Sequence, residues 1–208
     1  MQRKLHWSSF GGEFSGSNDR MAHLRLFIAV ETPIEIRTQI AAVQAELKQS
    51  GADVRWEPEE KFHATLKFLG RTEDSQLPDI TSSIEKIAHS APPLSLRYRN
   101  LGCFPSVQTP RVIWVGIEEL NGALTSLYGS IESAMEALGF EQESRPFHAH
   151  ITLGRVKSKL RHHSLLTRLE TITFESKPVT VREVAIVKSE LKPTGSVYVI
   201  LKSIALGG

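Results

Sequence analysis

Two hydrophobic periods alternate along the chain and predict a protein built of both helices and strands. Within residues 36–47, apolar side chains recur every three or four positions, as they do on one face of an amphipathic helix. Short runs rich in β-branched and aromatic residues separate such segments and are typical of strands. The pattern predicts helices over residues 34–48, 80–89, 123–138 and 160–169, and strands over residues 24–30, 54–56, 62–69, 94–101, 111–117, 148–156, 181–187 and 197–204.

The two halves of the chain repeat one order of elements around a shared motif. A first tetrad, residues 63–66 (HATL), and a second tetrad, residues 150–153 (HITL), each lie in a predicted strand that follows a strand and a helix and precedes another helix. A His-x-Thr-Leu string is uncommon by chance, and two copies in one chain are far rarer. The repeat predicts an α+β fold of two pseudo-symmetric lobes, each an antiparallel sheet with helices outside, facing each other across a central groove.

Length and composition indicate one globular domain after a short leader. With 208 residues, 40% of them hydrophobic, the chain can bury a sizeable core. Residues 1–22 are rich in Ser, Gly and charge and lack either period, so we expect a disordered leader or tag there and a folded domain over residues 23–208. The most apolar stretch near the N-terminus, residues 26–30, is far too short to span a membrane, and we expect no membrane association.

Charge and cysteine content narrow the expected partners and compartment. A net charge of +2 and a pI near 8.7 are too mild for a protein that coats nucleic acid, so any basic character must be local. The single cysteine, Cys103, excludes an intramolecular disulfide and a thiolate metal cluster, and it fits a reducing compartment. We expect a monomer in the cytoplasm.

The tetrads supply the residues of a proton-transfer site. Alternate residues of a strand share a face, so His63 lies beside Thr65 and His150 beside Thr152. An unperturbed imidazole titrates near pH 6.5, so one ring can be neutral while the other is protonated. The threonine hydroxyls can bind two oxygens of a phosphate, while one histidine accepts a proton from the attacking oxygen and the other donates a proton to the departing oxygen. These residues therefore favour phosphodiester cleavage without a metal.

Two basic residues follow the tetrads at positions that depend on strand alternation. Lys67 continues the face of His63 and Thr65, so we expect it to add positive charge to the groove. Arg155 falls on the opposite face from His150 by strict alternation, and a phosphate-binding role for it requires a bulge or the end of the strand.

Neither a metal nor a nucleotide cofactor is expected. His148 and His150 have the His-x-His spacing of some metal sites, but the nearest carboxylates, Glu141 and Glu143, do not supply an evident third ligand. We therefore expect His148 at the rim of the site as a partner of its neighbours or of the substrate. The chain also has no Gly-x-x-x-x-Gly-Lys or Gly-x-Gly-x-x-Gly loop.

With these motifs, the chain resembles the 2H phosphoesterase superfamily and, within it, the RNA 2′,3′-cyclic phosphodiesterase branch, also called the 2′-5′ RNA ligase family. The resemblance covers nearly all of residues 24–206 and departs from the family pattern at Ala149, where proline is common. Its segments are 25–30 (RLFIAV), 63–70 (HATLKFLG), 102–105 (GCFP), 110–114 (PRVIW) and 145–155 (RPFHAHITLGR).

The resemblance implies a bilobal α+β fold with His63 and His150 as the catalytic pair and Thr65 and Thr152 as phosphate ligands. It further implies metal-independent hydrolysis of 2′,3′-cyclic phosphate ends to 2′-phosphates. By the same resemblance, Phe104 and Arg111 lie near the groove entrance, where they could stack on a base and meet a phosphate. Trp114 is expected in the core.

The expected substrate is therefore an RNA or oligonucleotide with a 2′,3′-cyclic phosphate end. We assign His150 as the base that activates water and His63 as the acid, although the pseudo-symmetry also allows the reverse; run backwards, the reaction would join RNA ends through a 2′-5′ bond. Two alternatives stay open: a phosphodiesterase for a small cyclic nucleotide or ADP-ribose cyclic phosphate, and a nucleotide- or RNA-binding module without turnover. A long basic groove would favour RNA.

Overall fold

A computed structural model describes residues 23–193 and 195–207 of the chain. The predicted leader over residues 1–22 lies outside the described residues. The strands are β1 (His23–Glu31), β2 (Val54–Trp56), β3 (His63–Glu73), β4 (Leu94–Phe104), β5 (Val112–Glu119), β6 (His150–Val156), β7 (Val179–Val181), β8 (Glu183–Lys192) and β9 (Gly195–Ala205). The helices are α1 (Ile34–Lys48), α2 (Leu77–Ser90), α3 (Ala123–Ala137) and α4 (His162–Thr171).

The strands form one continuous antiparallel sheet that divides into two lobes. Its order is β7-β4-β5-β6-β3-β1-β8-β9, and β2 pairs with β6 beside this path. The first lobe contains β3, β1, β8 and β9, and the second contains β6, β5, β4 and β7. The lobes join where Ala64 of β3 pairs with Ile151 of β6. The α+β prediction of two lobes is thus confirmed.

The helices cover one face of the sheet and leave the other face to the groove. The main core contains residues of all four helices, such as Ile40, Ile84, Ile131 and Leu165, packed against inward side chains of the strands. None of the helices in residues 23–193 and 195–207 is long and apolar enough to cross a bilayer. A smaller apolar cluster lies on the groove face: Phe27, Ala29, Ala185 and Val187, with Tyr198 against them.

The predicted elements agree with the structure except at some boundaries and at one strand. The sequence analysis missed β7, which has three residues and pairs with Leu94 to Leu96 at the edge of the sheet. The sequence analysis assigned Val181 to the following strand, which begins at Glu183 as β8. The second tetrad strand begins at His150 rather than at His148, because the residues before it run as an irregular loop.

A bulge in β3 changes the direction of the side chains that follow the first tetrad. β1 pairs Ala29 with Thr65 and Ile28 with Lys67, which leaves Leu66 as an extra residue. Leu66 and Lys67 are in consequence both buried, at 4% and 5% exposure. Strict alternation, on which the placement of Lys67 in the groove depended, therefore fails at this point.

Lys67 instead forms a buried ion pair that joins β3 to α3. Its Nζ lies 2.7 Å from Oε2 of Glu132 on α3, and it also donates to the backbone carbonyl of Glu141. The same Glu132 oxygen accepts from the backbone N–H of Glu143 at 3.2 Å. The prediction that Lys67 lines the groove is wrong, since its charge is used to hold α3 and the loop before β6.

Replacing Lys67 alone should destabilise the fold strongly. Lys67→Met leaves the Glu132 carboxylate buried without a partner, and we expect the free energy of unfolding to fall by about 3–5 kcal/mol. The double variant Lys67→Met/Glu132→Leu should recover most of that loss. Lys202→Met, which breaks an exposed ion pair with Glu85, is the matched control and should cost less than about 1 kcal/mol. Urea denaturation measures all three; equal losses for the two single variants would contradict the prediction.

Candidate functional site

The two tetrads present their histidines and threonines to the groove. In β3, His63 and Thr65 are partly exposed while Ala64 is 2% exposed, and in β6, His150 and Thr152 are partly exposed while Ile151 is fully buried. This alternation confirms that each histidine shares a face with its threonine. The apolar positions of the same strands belong to the main core, which holds the polar ones in place.

The pairing of β3 with β6 brings the two tetrads together. The strands are antiparallel and pair at Ala64 and Ile151. Continuing that register places His63 opposite Thr152 and Thr65 opposite His150. Directly opposed residues have Cβ atoms about 4.5–5.5 Å apart. On this register each imidazole neighbours the threonine of the other tetrad, and the charge of His150 acts on the pKa of His63.

Each imidazole is oriented by the backbone two residues before it. Nδ1 of His63 lies 2.6 Å from the carbonyl oxygen of Lys61, and Nδ1 of His150 lies 2.7 Å from that of His148. A carbonyl oxygen only accepts, so Nδ1 carries the hydrogen in both rings. Nε2 of each neutral ring is thus left as a proton acceptor for a bound molecule.

Both histidines have lowered pKa values. The pKa of His63 is lowered to about 4, mainly by burial and also by the positive charges of Arg37 and His150, against the raising effect of the Lys61 carbonyl. Burial likewise lowers the pKa of His150, helped by the nearby charges of His148 and Arg155. At neutral pH and with no anion bound, both rings are therefore neutral.

Aromatic side chains of the first lobe surround His63. The Phe27 ring stacks on its imidazole at 4.9 Å between centroids, and the Tyr198 ring meets it edge-on at 5.3 Å. Phe68 lies 5.9 Å from Phe27 and is 67% exposed. The sequence analysis missed Phe27 and Tyr198. Phe27 could have been found from its alternation on β1, but the placement of Tyr198 depends on the pairing of β9 at the far end of the chain.

A second aromatic group surrounds His150. Phe104 lies edge-on to the His150 ring at 5.1 Å and 5.3 Å from Trp114, which in turn lies 4.7 Å from His148. The Trp114 ring lies over Gly102, where an added Cβ would come within 2.3 Å of it. Phe104 and His148 therefore border the site as expected. Trp114, which was expected in the core, lies on the groove face.

A bulge in β6 turns Arg155 toward the groove. β5 pairs Trp114 with Thr152 and Ile113 with Gly154, so that Leu153 is the extra residue. Arg155 thereby returns to the face of Thr152, which is the condition that the sequence analysis required. Its charge also acts on the pKa of His150.

Arg111 lies beside Phe104 at the mouth of the groove. It is exposed, and its backbone N–H donates to the carbonyl of Phe104 at 2.6 Å. A cavity of about 400 Å³ is lined in part by Trp114, His148 and Asn100. Neither tetrad lines this cavity, and neither do Phe104 and Arg111.

The described residues contain no group of three or more His, Cys, Asp or Glu side chains that could hold a metal ion. The rings of His148 and His150 are 6.2 Å apart between centroids. The tetrads thus offer two proton acceptors and two hydroxyls on the groove face.

Comparison with known proteins agrees with this geometry. The family model for LigT-like phosphoesterases matches the chain twice in succession, over residues 30–114 and 115–198, and each match contains one tetrad. The chain belongs to the LigT-like phosphoesterase family. The double match also supports the internal repeat on which the two-lobe prediction was based.

Two relatives of this phosphoesterase carry the same enzyme name. A protein of Methanocaldococcus jannaschii named RNA 2′,3′-cyclic phosphodiesterase is 31% identical over 86% of this chain and 99% of its own length. A protein of Thermus thermophilus with the same name is 34% identical over 89% of this chain and 91% of its own.

Solved structures of relatives share the fold. The crystal structure of a Thermus thermophilus protein superposes with a TM-score of 0.75 and 29% identity, over 89% of this chain and 99% of that one. E. coli LigT, solved with 3′-AMP, superposes with a TM-score of 0.72 and 25% identity, over 90% of this chain and 100% of that one.

The lowered pKa values predict an acid pH optimum for this phosphoesterase. kcat/KM reports the free protein, and the pKa values of His63 and His150 there lie below the ordinary 6.5. We expect its maximum on the acid side of pH 6.5, with limbs that belong to the coupled pair. kcat reports the complex, where a bound phosphate anion stabilises an imidazolium, so its optimum should lie at higher pH.

Initial rates with a cyclic phosphodiester from about pH 4 to 9 measure both profiles. A kcat/KM maximum above neutral pH, or a kcat profile identical to that of kcat/KM, would contradict this reasoning.

Proposed function

We propose that this chain hydrolyses 2′,3′-cyclic phosphate ends of RNA to 2′-phosphates by acid and base catalysis at His63 and His150. The observation that carries the proposal is the pairing of β3 with β6 within the two tetrads, together with the Nδ1 hydrogen bonds that leave Nε2 of each neutral ring as a proton acceptor. The names of the relatives support the same reaction. The nucleotide bound to E. coli LigT supports a nucleotide substrate.

In the proposed reaction, Nε2 of His150 removes a proton from water as the water oxygen attacks phosphorus. The bond from phosphorus to the 3′ oxygen breaks, and Nε2–H of a protonated His63 donates its proton to that oxygen. The hydroxyls of Thr65 and Thr152 donate to the two remaining phosphate oxygens. The product carries a 3′-hydroxyl and a 2′-phosphate, and no metal or cofactor takes part.

The low pKa of His63 makes substrate binding part of the mechanism. A free imidazole with a pKa of about 4 carries almost no proton at neutral pH. The cyclic phosphate brings a negative charge between the two rings, and this charge raises the pKa of the ring beside it. The substrate therefore helps to protonate its own general acid.

The same groove could join RNA ends. If a 5′-hydroxyl replaces water as the nucleophile, the product is a 2′-5′ phosphodiester. Water is far more abundant than any RNA end, so hydrolysis dominates unless the second RNA is bound and oriented. The lone Cys103 fits a reducing compartment, and we place the enzyme in the cytoplasm.

Removing either histidine should abolish most activity without unfolding the protein. We expect His63→Ala and His150→Ala each to lower kcat for an RNA 2′,3′-cyclic phosphate by roughly two to four powers of ten. The double variant should be little worse than the worse single variant. His163→Ala, on an exposed position of α4, is the control and should keep full activity. Wild-type rates in either folded active-site variant would remove that histidine from the mechanism.

A substrate with sulfur as its leaving atom shows which of the two histidines is the general acid and which is the general base. A thiolate leaves readily because a thiol has a pKa near 8.5, so a substrate with sulfur at the 3′ position needs little acid assistance. This substrate should restore most of the activity of His63→Ala and little of that of His150→Ala. The opposite pattern would exchange the two roles.

Chelation should leave the enzyme active, because the proposed reaction uses only side chains. We expect initial rates after dialysis against EDTA to equal those before it. Loss of activity that a divalent ion restores would instead indicate a metal at His148 and His150.

A further inference from the structure

Two pairs of arginines face each other across neighbouring strands. Arg55 of β2 pairs directly with Arg155 of β6, and Arg25 of β1 pairs directly with Arg71 of β3. Like charges in directly opposed positions destabilise an antiparallel pair. All four side chains are exposed, and none of them has a salt-bridge partner among residues 23–193 and 195–207. The fold therefore carries two unfavourable contacts that its own carboxylates do not relieve.

Both pairs lie on the groove face of the sheet. The β6 bulge brings Arg155 to the face of Thr152, and Arg55, being directly opposite, shares that face. Arg25 precedes Phe27 by two residues on β1 and so shares its face, together with Arg71.

Three of the four arginines lie near Tyr198, and one of them also acts on His150. The charges of Arg155, Arg55 and Arg25 all act on the hydroxyl of Tyr198, whose ring contacts His63. Lys61 adds a further positive charge, with its Nζ 5.5 Å from the centre of the Tyr198 ring. Glu57 is the one carboxylate with a comparable effect on the Tyr198 hydroxyl among the described residues. The groove is therefore locally basic although the whole chain carries only +2.

We propose that Arg55 and Arg155 together bind the phosphate of the RNA backbone that adjoins the cyclic phosphate end, and that Arg25 and Arg71 extend this basic track. The proposal rests on the proposed function and adds its substrate class: RNA chains with at least one internal phosphate rather than single nucleotides.

The chemistry of arginine fits this role. A guanidinium is always charged and offers five donors in a planar fork, which suits two oxygens of one phosphate. Two such groups that oppose each other across strands repel when empty, and an anion between them removes the repulsion. Arg155 lies three residues beyond Thr152, no more than about 10 Å along the strand at ~3.3 Å per residue. One nucleotide can bridge that distance.

The test compares substrates that differ by one internal phosphate. Adenosine 2′,3′-cyclic phosphate has none, and the dinucleotide ApA with a 2′,3′-cyclic phosphate end has one. We expect the wild type to prefer the dinucleotide in kcat/KM, and Arg55→Gln to lower that preference about tenfold. Because each phosphate contact releases counterions, the salt dependence of log kcat/KM for the dinucleotide should lose about 0.7 in slope.

Two further variants separate charge from geometry. Arg55→Lys should keep the salt slope but bind the dinucleotide less well than the wild type, because it lacks the planar fork. Arg168→Gln removes an arginine from α4 on the helical side of the sheet and should change neither the preference nor the slope. Arg55→Gln should melt no lower than the wild type, because it removes a repulsive contact.

The outcomes distinguish this proposal from the proposed function. Equal kcat/KM of the wild type for the two substrates, or an Arg55→Gln loss equal for both, would overturn the phosphate subsite while hydrolysis stands. If the wild type turned over neither substrate, the proposed function would fail. The subsite would then be judged by fluorescence titration of His150→Ala with an RNA trinucleotide that ends in a 2′-phosphate, where Arg55→Gln should weaken binding about tenfold. Binding unaffected by Arg55→Gln would overturn the subsite here too.

Discussion

The pairing of β3 with β6 is the contact on which the rest of this structure depends. It is the junction of two lobes that each have their own helices, and it lies within the two tetrads at Ala64 and Ile151. Those two residues are buried in the core, and the residues on either side of them are the histidines and threonines of the site. The same backbone contact that joins the lobes therefore sets the spacing of these histidines and threonines.

The groove face collects features that oppose folding. Two imidazoles are buried enough to lower their pKa values, and two pairs of arginines face each other with no carboxylate partner in the part of the chain that the structure describes. On the opposite face, the helices and strands share one apolar core, and a buried ion pair between Lys67 and Glu132 joins β3 to α3. Stability and function are thus assigned to opposite faces of one sheet. A bound phosphate anion would reduce the repulsion between the arginines and would favour protonation of a histidine. The same charges would therefore serve both substrate binding and proton transfer.

Two bulges of a single residue decide which basic side chains reach the substrate. The bulge at Leu66 turns Lys67 away from the groove, and the bulge at Leu153 turns Arg155 into it. Each reverses the expectation from strict alternation, because one extra residue exchanges the two faces of a strand. Lys67 then serves the packing of α3, whereas Arg155 stands opposite Arg55 beside the site.

The sequence by itself determined the two-lobed α+β fold and the central residues of the site. The repeated tetrad and the change between helical and strand periods are local signals, and they placed His63, His150, Thr65 and Thr152 on a common face. Only the tertiary structure decided the roles of Lys67 and Arg155, the contact of Tyr198 with His63 and the opposition of Arg55 to Arg155. These depend on register, bulges and the pairing of strands that are distant in the chain. Such pairings come from the packing of the whole core, and no short stretch of sequence records them.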